Sequence, residues 1–221
     1  MQTFLEILKY GSVILGTVTL LIGLWQYTKA QHWKRAEFVA EQMRKFEDNK
    51  LVRRAMKMLD FRESDIEVDG RRIPFDDNIL ARAMAYEDLR PPTEPDETEI
   101  RLAFCDFFDG LERFHHFVEA DLITHDHLRP YLPYWYRRFT TRHCKSQPVV
   151  DSIWTFIDGY EYEGVRELAG MFGFTPPAKE AAIASTRAWL AKNPKPTAIP
   201  ANAMASTPAV VAVSAPVTHF K

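Results

Sequence analysis

The sequence predicts a mostly α protein: an N-terminal transmembrane helix followed by a helical domain with one small β-hairpin. Three observations lead there. The stretch from Tyr10 to Tyr27 carries no charge and is rich in Leu, Ile, Val and Gly. Further on, apolar residues recur at helical steps of three and four, most regularly at Ile100, Phe104, Phe107, Leu111, Phe114 and Val118. Alternation of period two is confined to the residues around Asp69-Gly70.

As a helix, Tyr10 to Tyr27 covers about 27 Å, close to the roughly 30 Å of a hydrocarbon core. Tyr10 marks one end, Trp25 and Tyr27 the other, where amphipathic rings favour the interface. A cleaved signal peptide fits less well. Glu6 offsets Lys9, the apolar run exceeds the usual signal core, and Tyr27-Thr28-Lys29-Ala30-Gln31 offers no small-x-small cleavage site. The C-terminal flank holds Lys29, Lys34, Arg35, Arg44 and Lys45 against Lys9 on the other side, which predicts a single-pass anchor in the cell inner membrane with the following domain in the cytoplasm. Within the span, Ser12, Gly16, Thr19 and Gly23 form a stripe of small residues on which two anchors could pair as a homodimer.

Composition narrows the classes. The 221 residues carry a net charge of −2 and are 13% aromatic, which supports a packed core and gives no basic surface for nucleic acid. The two cysteines, Cys105 and Cys144, suggest no disulfide framework and suit a reducing compartment. The pattern divides the chain into a flank (1–9), the span (10–28), juxtamembrane helices (29–60), a helical domain with a hairpin near 66–75 (61–174), a short helix (175–192) and a disordered tail (193–221) whose prolines lack any period.

Element by element, Ala36, Val39, Ala40, Met43 and Phe46 continue the first helix, and Asn49 interrupts it. Lys50 to Asp60 resumes with Leu51, Val52, Ala55, Met58 and Leu59 apolar. Asp69-Gly70 supplies the positive φ angles of a tight turn between Ile66-Glu67-Val68 and Arg72-Ile73-Pro74-Phe75, with Pro74 confining the pair to an edge. Asp76 or Asp77 caps a helix over 78–88. Three prolines in 91–95 form a stiff connector before the central helix, about 96–120, taken as the core of the domain. Thr124 caps a helix running to about Thr141 and kinked at Pro133. Pro148 opens another, closed by Asp158-Gly159; Val165, Leu168, Ala169 and Phe172 line a short one; and 178–192 forms a last helix with Ile183, Trp189 and Leu190 as its contacts.

No motif assembles a catalytic set. Phosphate loops and Gly-x-Ser-x-Gly are absent, and Asp106 to Gly110 lacks the ligand spacing of a calcium loop. Glu112, His115 and His116 form one Glu-x-x-His on the central helix, a spacing that di-iron bundles use in pairs, and no second copy exists. Solvated or singly hydrogen-bonded histidines are the preferred reading of these residues, so no metal and no cofactor is expected, and Glu112, His115 and His116 stand as the alternative, a metal site. His125 and His127, two apart, point in different directions. The rings around Trp135 read equally as core or as a recognition surface. Lys34, Arg35, Arg53 and Arg54 read as a solvated face or as headgroup contacts.

Arg35-Ala36-Glu37-Phe38, Leu51 to Asp60, Phe104 to Phe114 and Pro130 to Trp135, following an N-terminal anchor, resemble bacterial single-pass membrane proteins of a domain-of-unknown-function family. The resemblance covers residues 1 to about 140. It implies no activity and carries no site residue over. The reading is therefore a non-enzymatic, membrane-tethered interaction or scaffold module with the bilayer and other proteins as partners. The alternative is a membrane-bound metal-binding protein or enzyme using Glu112, His115 and His116.

Overall fold

A computed structural model describes the backbone of residues 2–92 and 94–194, with side chains from residue 15 onward. The stretch expected as tail beyond 194, and the side chains of Tyr10 and Ser12, lie outside the described residues. Within them the protein is mostly helical with one two-stranded antiparallel sheet. Among the described residues no helix is long and apolar enough to cross a membrane; the expected span lies partly outside them.

The first helix, α1, runs unbroken from Gln2 to Asp48. From Leu15 to Ala30 every side chain is exposed, and nothing in the domain covers Leu15, Leu20, Leu21, Leu24 or Trp25. Further along, the same helix turns a stripe inward: Val39, Met43 and Phe46 are buried, while Ala36 and Ala40 stay outside. Asn49 then reverses the chain. Its Oδ1 accepts from Leu51 N–H and Val52 N–H, and its Nδ2 donates to Asp106 at 2.8 Å, so it caps the second helix, α2 (Lys50–Asp60), and pins the corner to the central helix.

The hairpin follows as expected. Strands β1 (Ser64–Val68) and β2 (Arg71–Phe75) pair with Ile66 opposite Ile73, and Asp69 and Gly70 both take positive φ. Ile66, Val68, Ile73 and Phe75 are buried against the helices, which gives an otherwise marginal hairpin its support.

Helix α3 (Asp77–Met84) is capped by Asp76, whose carboxylate accepts from Ile79 N–H at 2.6 Å. It ends four residues before the expected boundary at 88. The cause is tertiary: the buried Arg101 guanidinium takes up the carbonyls of Ala83, Ala85 and Arg90, so the chain can leave the helix with its carbonyls satisfied.

Helix α4 (Pro95–Glu119) buries the predicted stripe of Ile100, Phe104, Phe107, Leu111 and Phe114, widened as expected by the buried Phe108, while Phe117 and Val118 are half-buried. It shares the core with α7 (Gln147–Gly159), in which every residue from Val149 to Ile157 is buried, a helix enclosed on all sides.

The single kinked helix expected over 124–141 is two helices, α5 (His125–Leu128) and α6 (Leu132–Thr140). Pro133 has no N–H to give and so falls in the first turn of a new helix. Leu132, Tyr136 and Phe139 are buried in the core, Trp135 is partly buried and packs edge-on to Phe107, and Tyr134 stands half exposed, donating to Asp60 at 2.5 Å.

Helix α8 (Glu163–Met171) crosses α4, and α9 (Lys179–Lys192) closes over α7. The residues of α9 that bury are the small Ala182 and Thr186, which permit close approach; Ile183, Trp189 and Leu190 are half-buried at the sides.

Candidate functional site

Two places gather polar groups that the core does not explain. One is the junction where α1 leaves the domain. The other is the end of α4, where α8 crosses it.

At the junction, α5 reaches α1. The His32 and His127 rings lie 5.0 Å apart, and Gln31, Arg35, Tyr27, Asp126 and Tyr131 complete an open cleft of roughly 680 Å³. His127 occupies the third position after the cap residue Thr124. Its Nδ1 accepts from Thr124 N–H at 3.1 Å and lies 2.7 Å from the Thr124 hydroxyl, so an imidazole fills the place that Glu or Gln takes in a capping box. Burial first, then the positive neighbours His32 and Arg35, push the His127 imidazole below its ordinary pKa. His125 turns instead to Asp126, at 3.3 Å, so the two histidines do part company.

At the end of α4, Glu112 serves neither histidine. Its two carboxylate oxygens accept from Gly164 N–H and Val165 N–H, each at 3.0 Å, and so satisfy the orphan amides that open α8. The arrangement does not bring together the alternative metal set, in which Glu112 stood with His115 and His116. Its place is taken by Glu119, whose Oε2 lies 3.0 Å from His116 Nδ1 and 3.6 Å from His115 Nδ1. The hydrogen bond from His116 is the main reason the Glu119 carboxyl lies below its ordinary pKa. Glu119 was legible in the sequence as the residue three after His116 and four after His115, spacings that meet on a helix face.

His115 is held tightly. Its ring is 5% exposed and lies beneath Gly164, where a Cβ would fall 2.6 Å from Nδ1. Its Nε2 is 2.9 Å from the Glu167 carboxylate on α8. Glu167 lies 52 residues away in sequence, and no local pattern announced it. His115, His116 and Glu119 can bring one donor atom each within 4.8 Å of one another.

Other polar groups among the described residues support the fold. Both cysteines are free thiols, and burial pushes the Cys105 thiol upward, which keeps it protonated and inert. Arg138 and Lys145 donate to the carbonyls of Asp60 and Phe61, closing the end of α2. On α1, Gly16, Thr19 and Gly23 are exposed; Thr19 donates to Leu15 O within the helix at 2.8 Å, and a Cβ on either glycine would meet nothing within 4 Å. In comparison with known proteins, no family model, no curated protein and no solved structure matches this chain.

Proposed function

We propose that this chain is a membrane-anchored interaction module: α1 enters the inner membrane through its N-terminal part, and the helical domain works at the cytoplasmic surface on protein partners. The observation that carries this reading is the change of character along one helix. From Leu15 to Tyr27 α1 is uncharged and exposed on all faces, and from Val39 it is seated in the core. An apolar surface of that extent needs a cover, and lipid supplies one that matches every face at once. Trp25, Tyr27 and the exposed Trp33 follow the apolar run in the order expected of an interfacial belt, with Lys29 over the Trp25 ring at 5.2 Å.

An unbroken α1 also sorts the basic residues. Arg35 stands eight residues past Tyr27, about 12 Å along a helix axis, within reach of headgroups. Arg53 donates to the carbonyl of Glu47 at 2.9 Å, which places it near a point about 30 Å past Tyr27. Lys34 and Arg35 are therefore the headgroup candidates, and Arg53 and Arg54 belong to a solvated face. The exposed Gly16, Thr19 and Gly23, with Ser12, remain the stripe on which two anchors would pair.

The interaction reading is tested by crosslinking in native membranes, where a reproducible heteromeric adduct through the domain is expected; recovery of the uncrosslinked chain alone would contradict it. A C-terminal reporter active in the cytoplasm is the expected orientation, and a tag open to protease in spheroplasts would reverse it.

A further inference from the structure

The end of α4 carries an arrangement that packing does not require. Glu119 Oε2 faces two imidazole nitrogens, and only one of them, His116 Nδ1 at 3.0 Å, is within hydrogen-bond length. His115 Nδ1 stands 3.6 Å from the same oxygen. Its other nitrogen is committed: Nε2 hydrogen-bonds to Glu167 at 2.9 Å, and a carboxylate can only accept, so Nε2 carries a proton and, in the neutral ring, the Nδ1 lone pair faces an anion. Two lone-pair atoms held face to face and just out of bonding distance are a place for a cation.

We propose that His115 Nδ1, His116 Nδ1 and the Glu119 carboxylate bind a divalent transition metal ion, zinc being the best match, with Glu167 positioning His115. Two imidazoles and one carboxylate are a common zinc donor set. Bonds of about 2.1 Å to a tetrahedral ion separate its ligand atoms by about 3.4 Å, and the two separations from Glu119 Oε2, 3.0 and 3.6 Å, bracket that value. The second observation is independent of the ligand triplet and comes from a different helix. A metal-bound histidine characteristically donates its remaining N–H to a carboxylate, which fixes tautomer and ring orientation. Glu167 on α8 makes that contact with His115.

The site is preorganised on one side and open on the other. His115 is pinned beneath Gly164, while the His116 and Glu119 side chains are 64% and 58% exposed. Ligation by His116 moves its proton from Nδ1 to the exposed Nε2, a tautomer shift that solvent permits. Three protein ligands leave a fourth position for water or for a group from a partner.

The test is titration of the untagged full chain in detergent micelles with Co²⁺, read by the visible absorption of the bound ion, followed by displacement with Zn²⁺. One equivalent per chain is expected at micromolar or tighter affinity. His116→Ala and Glu119→Gln, both at exposed positions and checked for unchanged circular dichroism, are each expected to weaken binding at least tenfold. Glu167→Gln, which removes no ligand, is expected to weaken it about 10–100-fold. His125→Ala and His143→Ala should leave it unchanged. Absence of one-to-one binding, or binding that survives His116→Ala and Glu119→Gln, would overturn the proposal.

Discussion

Phe46 lies directly over Gly110, its ring filling the space where any other residue would carry a Cβ. Phe46 belongs to α1, the helix that leaves the domain, and Gly110 to the helix at its centre, so this contact joins α1 to the core. In an open helix position alanine would be favoured over glycine by about 1 kcal/mol. Here Phe46 cannot move aside, because it is buried and held between Phe107 and Phe114 at centroid distances of 5.6 Å each. Gly110→Ala is therefore expected to destabilise by about 1–3 kcal/mol, as overpacking does, seen as a lower Tm of the full chain in micelles. A raised Tm would mean the contact is loose.

Glu112 holds α8 by its first amides. Glu112→Ala leaves Gly164 N–H and Val165 N–H without their acceptor, and the loss is expected to resemble that of a helix cap, about 0.5–2 kcal/mol. Hydrogen exchange should accelerate at the start of α8 and little at α2, which lies on other contacts. Uniform acceleration across the domain would point to global loss instead.

His127 makes the junction sensitive to acid. In the unfolded chain it binds its proton near the ordinary value of about 6.5, and in the fold that pKa is lowered by burial and by His32 and Arg35, against the opposing pull of Asp126. Between the two values the unfolded state holds more protons, so stability is full above about 6.5 and falls as the solution is acidified through the folded pKa. His127→Gln keeps an acceptor for Thr124 N–H and cannot titrate. The Tm difference between about pH 7.5 and pH 5.5 should be larger for the native chain than for His127→Gln; equal differences would exclude the histidine as the source.

Phe107→Ala is expected to cost about 3–5 kcal/mol, since Phe107 is fully buried among Phe104, Phe108, Phe139 and Trp135. Asp109→Asn should be mild. Asp109 is exposed and accepts from Tyr162 at 2.9 Å, and an amide oxygen can accept that bond too. Chemical denaturation of both variants separates the two cases.

What the sequence made legible was local. Asp69-Gly70 announced its hairpin because positive φ at both positions is a requirement of the turn itself. The α4 stripe announced its buried face because its other face is wet. Helix α7 showed no such face, since burial all round erases the contrast that periodicity reports. The end of α3 depended on Arg101 collecting carbonyls from the chain before it, and the support of His115 on a carboxylate from α8; neither leaves a trace at short range. The exchange of Glu112 for Glu119 is instructive: both lie within helical reach of the histidines, and only the position of α8 decides which one turns away.

The central claim is that the apolar part of α1 is covered by lipid. Alkaline carbonate extraction of membranes from cells expressing the full chain tests it most directly, because high pH strips proteins held by surface contacts and leaves spanning helices in place. The account predicts that the chain remains in the membrane pellet, and that it moves to the soluble fraction when Val18, Leu21 and Ile22 are replaced by Asp. Release of the native chain into the supernatant would contradict it.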